Sequence, residues 1–255
     1  MDTTPDRQIA DPAGALGVRL RAGHALQQSP RRAYALLRSA IRDGGVPVLG
    51  RLAEDALVRD LATSRNAVRL ALHKLGLDGL VERRPKTGTV VVSKIGRYPI
   101  FECADPTTGV TVNLSLIETR DVPATAYLAQ RFEDEGLESL RMSEFVLTSG
   151  DRTVGIFSRY GLVAAPALEQ AAPTLLPDEI SWYRRIHREP PGPIEVTIEA
   201  VGADERTARL LGVEEGHPLL VRETLYRDRL ERPAELHYTF LDSRMTSLHA
   251  RSSAG

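Results

Sequence analysis

The 255-residue sequence has a single cysteine, no long apolar run and almost no net charge. Cys103 has no second cysteine with which to form an internal disulfide, which fits a reducing compartment, so we expect a cytoplasmic protein. No apolar stretch of about 18 residues predicts a membrane span, and the first residues lack the apolar core of a secretory signal. The composition is ordinary for a globular protein and excludes collagen-like, coiled-coil and wholly disordered chains.

The net charge of -1 conceals an uneven distribution of charge along the chain. Residues 30–95 contain 13 basic and 6 acidic residues, a net charge of +7, whereas residues 96–255 contain 17 basic and 25 acidic residues, a net charge of -8. Residues 1–29 contain three of each sign. A compact basic segment is typical of a protein that binds the phosphate backbone of nucleic acid, although a solvated basic surface would show the same count.

The basic segment has the order of elements expected of a winged helix-turn-helix domain over residues 30–95. Apolar residues at helical spacing predict three helices, and two short apolar runs around a Pro/Gly turn predict a hairpin. Thr63 or Ser64 is the expected cap of the third helix. The predicted helices cover residues 30–42, 52–61 and 64–76, and the predicted strands cover 80–83 and 89–92.

The start of the third helix and the hairpin tip hold the candidate DNA-binding residues. The Ser64 hydroxyl and the free N–H groups of the helix start can hold a phosphate. In the major groove, Arg65 or Arg69 can donate two hydrogen bonds to guanine, and Asn66 can pair with adenine. One such arginine is more often a solvated surface residue, but the set at this spacing favours DNA. The hairpin contributes Lys86, Thr87, Gly88 and Thr89.

These residues resemble the DNA-binding domain of the GntR superfamily of regulators. The shared pattern is Glu54, then Ser64-Arg65-Asn66-Ala67-Val68-Arg69-x-Ala71-Leu72, Gly79-Leu80-Val81 and Thr87-Gly88-Thr89. The family usually has Leu-Pro-Ser-Glu-Arg before the second helix, where this chain has Arg51-Leu52-Ala53-Glu54-Asp55. Asp55 therefore replaces an arginine that contacts phosphate in the family, and Arg51 and Arg59 are the candidates to compensate.

Residues 109–248 show strands and helices in the order β-α-β-β-α-β-α-β-β, in which the second helical element consists of two successive stretches. This order predicts an α+β domain with a largely antiparallel sheet and flanking helices. Residues 96–108 contain two prolines and are expected to form a linker, and residues 1–29 a flexible tail. The predicted strands cover 110–116, 137–147, 153–163, 194–201, 219–226 and 234–241, and the predicted helices cover 121–132, 165–176, 178–188 and 203–211.

This second domain resembles the UTRA effector domain, which marks the HutC subfamily of GntR regulators and shares the chorismate-lyase fold. The resemblance rests on Ala208-x-x-Leu211-Gly212-Val213-x-x-Gly216-x-Pro218-Leu219, followed by Arg222 and by Pro233-Ala234-Glu235. It implies a domain that binds a small polar or anionic metabolite.

The resemblance also suggests where the metabolite binds. UTRA sites often carry Arg-x-Arg on the strand after the first helix, where a forked guanidinium suits carboxylate or phosphate. This chain has Arg141-Met142-Ser143, so half of the pair is missing. Arg141 and Ser143 share one strand face by the two-residue period. The candidate neighbours are Ser158 and Tyr160 on the next strand and Glu235 and His237 on the last.

The sequence shows no catalytic motif. A phosphate-binding loop and Gly-x-Ser-x-Gly are absent, and the six histidines lack metal-ligand spacing. We therefore expect no catalytic residue, metal or cofactor. The predicted protein is a homodimeric transcription regulator that binds double-stranded operator DNA. We expect a repressor that is released from the operator by a small-molecule effector. The alternatives are a DNA-tethered enzyme of chorismate-lyase-like fold and an orphan DNA-binding protein without an effector.

Overall fold

The computed structural model describes residues 29–101, 112–163, 175–176 and 179–250. The chain divides into two compact units between Ile95 and Gly96. Residues 1–28 of the expected tail over 1–29, most of the linker and residues 165–174 of the expected helix over 165–176 lie outside the described residues. No helix in the described ranges is long and apolar enough to cross a membrane.

Residues 29–95 of the first unit form three helices and a small antiparallel sheet, as a winged helix-turn-helix requires. The strand order in this sheet is β1-β3-β2. Its elements are α1 (Pro30–Arg42), β1 (Arg51–Leu52), α2 (Glu54–Asp60), α3 (Arg65–Leu77), β2 (Val81–Arg84) and β3 (Gly88–Val91).

One boundary in this unit differs from the expectation. Leu52, expected at the start of the second helix, lies in a strand and pairs with Thr89 of β3. The helix therefore begins only at Glu54. Pairing across the sheet outweighs the helical spacing of Leu52 and Ala56, because the strand buries Leu52 and satisfies its backbone groups.

Both ends of α3 are fixed by hydrogen bonds. At the start, the Ser64 hydroxyl accepts a bond from the backbone N–H of Ala67 at 3.1 Å, so Ser64 is the cap. At the end, the Tyr34 hydroxyl of α1 donates to Asp78 Oδ2 at 2.6 Å. Burial and the neighbouring Asp78 carboxylate raise the pKa of Tyr34, so this donor stays protonated. These contacts therefore fix where α3 begins and hold its end against α1.

The second unit is built on a seven-stranded antiparallel sheet of order β8-β5-β6-β7-β11-β10-β9. The α+β class and the antiparallel sheet are confirmed. A separate parallel pair joins β4 to β12. The elements are β4 (Gly96–Pro99), β5 (Val112–Pro123), α4 (Ala126–Arg131), β6 (Ser139–Ser149), β7 (Arg152–Leu162), β8 (Leu175–Leu176), α5 (Glu179–His187), β9 (Ile194–Gly202), α6 (Glu205–Leu211), β10 (Pro218–Arg227), β11 (Pro233–Asp242) and β12 (Thr246–His249).

Two segments expected to be helical belong to strands. Residues 121–123 extend β5, because Asp121 pairs across the sheet with Arg141. Leu175–Leu176 form a short strand that pairs with β5. The β4–β12 pair was not anticipated either, because its strands lie far apart in the sequence and such pairing leaves no local signal.

Helices pack on both faces of the large sheet. On the face called here the α5 face, Phe145 and Phe157 pack against Trp182 of α5. On the opposite face, Leu236 packs with Phe132 at the end of α4, and Leu211 of α6 packs in a neighbouring apolar cluster. Successive side chains along a strand point to opposite faces of the sheet. Two neighbouring residues of a strand therefore pack against different helices.

The aromatic core under α5 should dominate the stability of the second unit. Phe157 is completely buried, with its ring centroid 5.6 Å from that of Trp182. We expect Phe157→Ala to lower the free energy of unfolding by about 3–5 kcal/mol, because a large cavity replaces the ring. Urea unfolding followed by the fluorescence of Trp182, the only tryptophan, measures it. Leu162→Ala, at an exposed position of β7, is the control, and equal losses would contradict the prediction.

Candidate functional site

Arg65, Asn66 and Arg69 project from the first turns of α3 into solvent. The opposite side of the helix is apolar and buried, with Ala67, Val68, Ala71, Leu72 and Leu75 inward. The side chains of Arg65 and Arg69 are 59% and 61% exposed. Packing of the inner side therefore presents the predicted DNA-reading residues on one outer surface.

Both arginines form ion pairs with the first turn of α2. Arg65 Nη2 donates to Asp55 Oδ1 at 2.6 Å, and Arg69 Nε donates to Glu54 Oε2 at 2.9 Å. Exposed pairs of this kind contribute little to the free energy of folding. Their main effect is to restrict the directions in which the two guanidinium groups point.

The hairpin tip presents a second basic feature. Lys86 and Thr87 are exposed, while Gly88 and Thr89 are half-buried at the base of the turn. Gly88 has a φ of 86°, a left-handed conformation that favours glycine. A Cβ at Gly88 would lie 3.6 Å from Arg51 Nε, so this proposed substitute for the missing arginine lies beside the tip.

A groove of about 550 Å³ runs between α3 and the hairpin. Arg69 lines it from the helix and Arg83 from β2. Glu54, the partner of Arg69, also lines the groove, so its charge is mixed, and only the cationic side chains on its two walls suit the phosphates of a nucleic-acid backbone.

A cluster of polar side chains is buried on the α5 face of the second unit. The strand register aligns Ser143, Arg159, His237 and Thr224 in one row, so their side chains share a face. We call the following set the buried polar cluster: Ser143, Arg159, Arg222, Thr224, Tyr226, Glu235, His237 and Thr239 of the sheet, with Glu179, Tyr183 and His187 of α5.

Two buried ion pairs balance the charge of the cluster. Arg159 donates to Glu235 and Arg222 donates to Glu179, and each of these side chains is at most 2% exposed. His237 lies between the carboxylates. Its Nε2 donates to Glu235 Oε2 at 2.7 Å, and its Nδ1 lies 3.6 Å from Glu179 Oε2.

These contacts shift the pKa values of the buried groups. Burial favours the neutral carboxyl at Glu235, but the Arg159 guanidinium outweighs it and holds the pKa of Glu235 well below its ordinary value. Burial likewise favours neutral His237, but the carboxylates of Glu179 and Glu235 outweigh it and raise the pKa of His237. The cluster is therefore a compact set of interacting charges.

Several buried polar atoms of the cluster have no hydrogen-bond partner among the described residues. They include Thr224 Oγ1, the Tyr183 hydroxyl and Arg159 Nε. The Tyr183 ring is stacked between His187 and Tyr226, with centroid distances of 4.1 and 5.5 Å. A buried polar atom without a partner costs about 1–3 kcal/mol. A bound molecule that supplied the missing bonds would recover that cost.

Four of the six predicted effector residues lie on the α5 face. Ser143, Glu235 and His237 belong to the buried polar cluster. Arg141 lies at its margin, where Nε donates to Asp121 Oδ1 at 3.0 Å. The shared face predicted for Arg141 and Ser143 agrees with the strand register.

Ser158 and Tyr160 do not join the other four. Both point to the opposite face, where Ser158 donates to Glu144 Oε1 at 3.4 Å and the Tyr160 ring packs on Tyr238. The expectation that they neighbour Arg141 is therefore corrected: the register sets Arg159 opposite Ser143.

Sequence reasoning missed Arg159, Arg222, Thr224 and Glu179 as site residues. Arg159 and Arg222 interrupt largely apolar strands and are buried. A charged residue in such a strand is a usable signal, because buried charges require partners. Glu179 carried no comparable signal, since a glutamate in the first turn of a helix is ordinary.

Among the residues that the structure describes, no group of three His, Cys, Asp or Glu side chains could hold a metal ion. In the buried polar cluster the two carboxylates are bound to arginines instead.

The sequence matches two protein-family models. The model described as bacterial regulatory proteins, gntR family, matches residues 30–91, and the UTRA domain model matches residues 107–244, more than half of the chain. The first range spans α1 to β3, and the second contains the whole buried polar cluster. No curated protein matches the sequence.

Solved structures of similar fold include two that align with most of this chain and with nearly all of their own length. PhnF from Mycobacterium smegmatis is 22% identical, with a TM-score of 0.60 over 88% of this chain and 100% of that chain. YydK from Bacillus subtilis, described as a possible transcriptional regulator, is 14% identical, with a TM-score of 0.53 over 88% of this chain and 99% of that chain. At these identities the likeness establishes the fold alone.

The charge on His237 should make the stability of the second unit depend on pH. Because its folded pKa is raised, His237 stabilises the fold fully below its unfolded value of 6.5, and this contribution is lost as the pH rises through the folded pKa. We expect the stability difference between wild type and His237→Gln to shrink from acidic to alkaline pH. Urea titrations followed by Trp182 fluorescence measure it. A difference that grows with pH, or stays constant, would contradict the assignment.

Proposed function

Because this chain belongs to the gntR family of bacterial regulatory proteins and carries a UTRA domain, we propose that it is a transcriptional repressor of the HutC subfamily. In this proposal, the first unit holds operator DNA until a small polar or anionic metabolite binds the second unit. The observation that carries the proposal is that one chain contains both an exposed basic helix, in the first unit, and a buried polar cluster, in the second.

The DNA-binding role is assigned to α3 and the hairpin. Arg65, Asn66 and Arg69 would enter the major groove, where guanidinium and amide groups read base edges. Lys86 and Thr87 at the exposed tip would contact the backbone or the minor groove. The net charge of +7 over residues 30–95 supports this role, because counterion release drives binding to phosphates.

The proposed regulator acts as a cytoplasmic homodimer on a two-part operator. Two copies of α3 would meet half-sites about one helical turn apart, or a multiple of that distance. An effector can release the DNA only if it binds one state of the dimer more tightly than the other. The size of the shift between the two states of the dimer therefore depends on how much more tightly the effector binds one state than the other.

The effector is proposed to bind at the buried polar cluster. Arg159 Nε and the Tyr183 hydroxyl, which have no acceptor among the described residues, require acceptor atoms. Carboxylate, phosphate and hydroxyl oxygens supply them. Because Arg159 and Arg222 are already paired with carboxylates, a bound anion would share these cations with Glu235 and Glu179.

Removing an arginine of α3 should weaken operator binding without unfolding the chain. We expect Arg65→Ala or Arg69→Ala to reduce affinity roughly tenfold to a hundredfold, because each bidentate base contact contributes about 1–3 kcal/mol of discrimination. Fluorescence anisotropy with a duplex selected from a random library measures it. Arg42→Ala, which removes the same charge from α1, is the matched control. Wild-type affinity in both α3 variants would defeat the assignment.

Removing the Thr224 hydroxyl should impair ligand binding but not folding. Valine fills the same volume, so we expect Thr224→Val to be at least as stable as wild type, because it removes a buried hydroxyl that has no partner among the described residues. A thermal-shift screen of acidic metabolites and sugar phosphates would first identify a ligand, which stabilises the folded state by mass action. The shift produced by that ligand should then decrease in Thr224→Val.

The control is Thr197→Val, the same change at an exposed position of the neighbouring strand β9. Thr197 lies on the face of the sheet opposite to Thr224. A full ligand-induced shift in Thr224→Val would place the ligand elsewhere. Conversion of the ligand to a product would favour the enzyme alternative.

A further inference from the structure

Asp55 places a negative charge on the surface from which the DNA-reading side chains project. Its side chain is 71% exposed and contacts Arg65, the first residue of α3. A carboxylate at this position repels phosphate oxygens and lowers the affinity for any DNA, whatever its sequence. Asp55 is therefore unsuited to contact the DNA backbone, and a role in recognition must come through another group.

The geometry of the ion pair identifies that group. Arg65 Nη2 donates to Asp55 Oδ1 at 2.6 Å, which uses one of the five N–H donors of the guanidinium. The remaining donors are available to a base edge. Without a partner, an exposed arginine samples many rotamers, and ordering it on DNA costs conformational entropy. The carboxylate of Asp55 restricts that sampling before DNA arrives.

The neighbouring pair shows how Asp55 differs from Glu54. Glu54 accepts from Arg69 Nε at 2.9 Å, but its side chain is only 29% exposed. Asp55 is much more exposed, and its charge is directed to the outer surface. We therefore expect the charge of Asp55 to affect the affinity for DNA more than the charge of Glu54 does.

We propose that Asp55 is a positioning residue that sets base specificity: it holds the Arg65 guanidinium ready for a guanine and disfavours contact of this surface with phosphates. The inference rests on the proposed function, in which α3 reads the operator. Specificity is a difference between two affinities. Asp55 would act on both: its charge lowers the affinity for unrelated DNA, and at the operator the gain from a positioned Arg65 exceeds that repulsion.

The test compares full-length wild type with Asp55→Asn and Asp60→Asn. Asp60 lies at the other end of α2, so its variant removes the same charge from the same helix away from Arg65. Each protein selects duplexes from a random library, and its affinity for the wild-type-selected duplex and for a scrambled duplex is then measured at two salt concentrations. Arg65→Ala identifies the guanine that Arg65 reads, as the position at which preference disappears.

We expect Asp55→Asn to bind the selected duplex about tenfold more weakly, relax the preference for that guanine and bind the scrambled duplex more tightly. Asp60→Asn should change both affinities by a similar factor and keep the preference. Asp55→Glu retains the carboxylate and should therefore keep part of the preference for that guanine. Circular dichroism and melting temperature verify that each variant folds.

Two results would overturn the inference while leaving the proposed function intact. In one, Asp55→Asn retains the guanine preference and the ratio of the two affinities. In the other, it binds both duplexes more tightly by the same factor, which would make Asp55 a purely electrostatic brake. If wild type selects no sequence at all, the proposed function fails, and the inference fails with it.

Discussion

The second unit depends on the requirement that a buried charge must have a partner. Arg159 and Arg222 extend from central strands into the α5 face, where water does not reach them, and leaving either one unpaired would cost several kcal/mol. Glu235 on the sheet and Glu179 on α5 supply the compensating charges. The Glu179 contact therefore ties the helix to the sheet at a defined place. The aromatic packing of Trp182 and the stacking of Tyr183 follow from that placement.

The same cluster explains how a domain core can also be a recognition site. Most of its polar groups satisfy one another, which stabilises the fold, while several buried atoms, Thr224 Oγ1 and the Tyr183 hydroxyl among them, lack partners among the described residues. A ligand that supplied hydrogen bonds to these atoms would join an existing network and would not have to build one. Because His187 and His237 both contact Glu235, a change at one member would be felt by several others. Such coupling suits a sensor.

The two units illustrate different degrees of predictability. In the first unit, the helical spacing, the cap at Ser64 and the outward positions of Arg65 and Arg69 were predictable, because they depend on residues close together in the sequence. Leu52 was misplaced because its strand pairs with distant Thr89. The ion pair of Asp55 with Arg65 was also beyond sequence reasoning, although the unusual aspartate was visible as a departure from the family pattern.

The sequence by itself determined the order of elements, the α+β class, the division into a basic and an acidic part, and the strands that carry Ser143, Glu235 and His237. These follow from local periodicity and charge. Only the tertiary structure decided which residues meet. The strand register sets Arg159 opposite both Ser143 and His237 and moves Ser158 and Tyr160 to the other face. The placement of α5 on the sheet brings Glu179 to Arg222. Register and helix placement are collective outcomes of packing, and a one-residue slip would reverse every side chain of a strand.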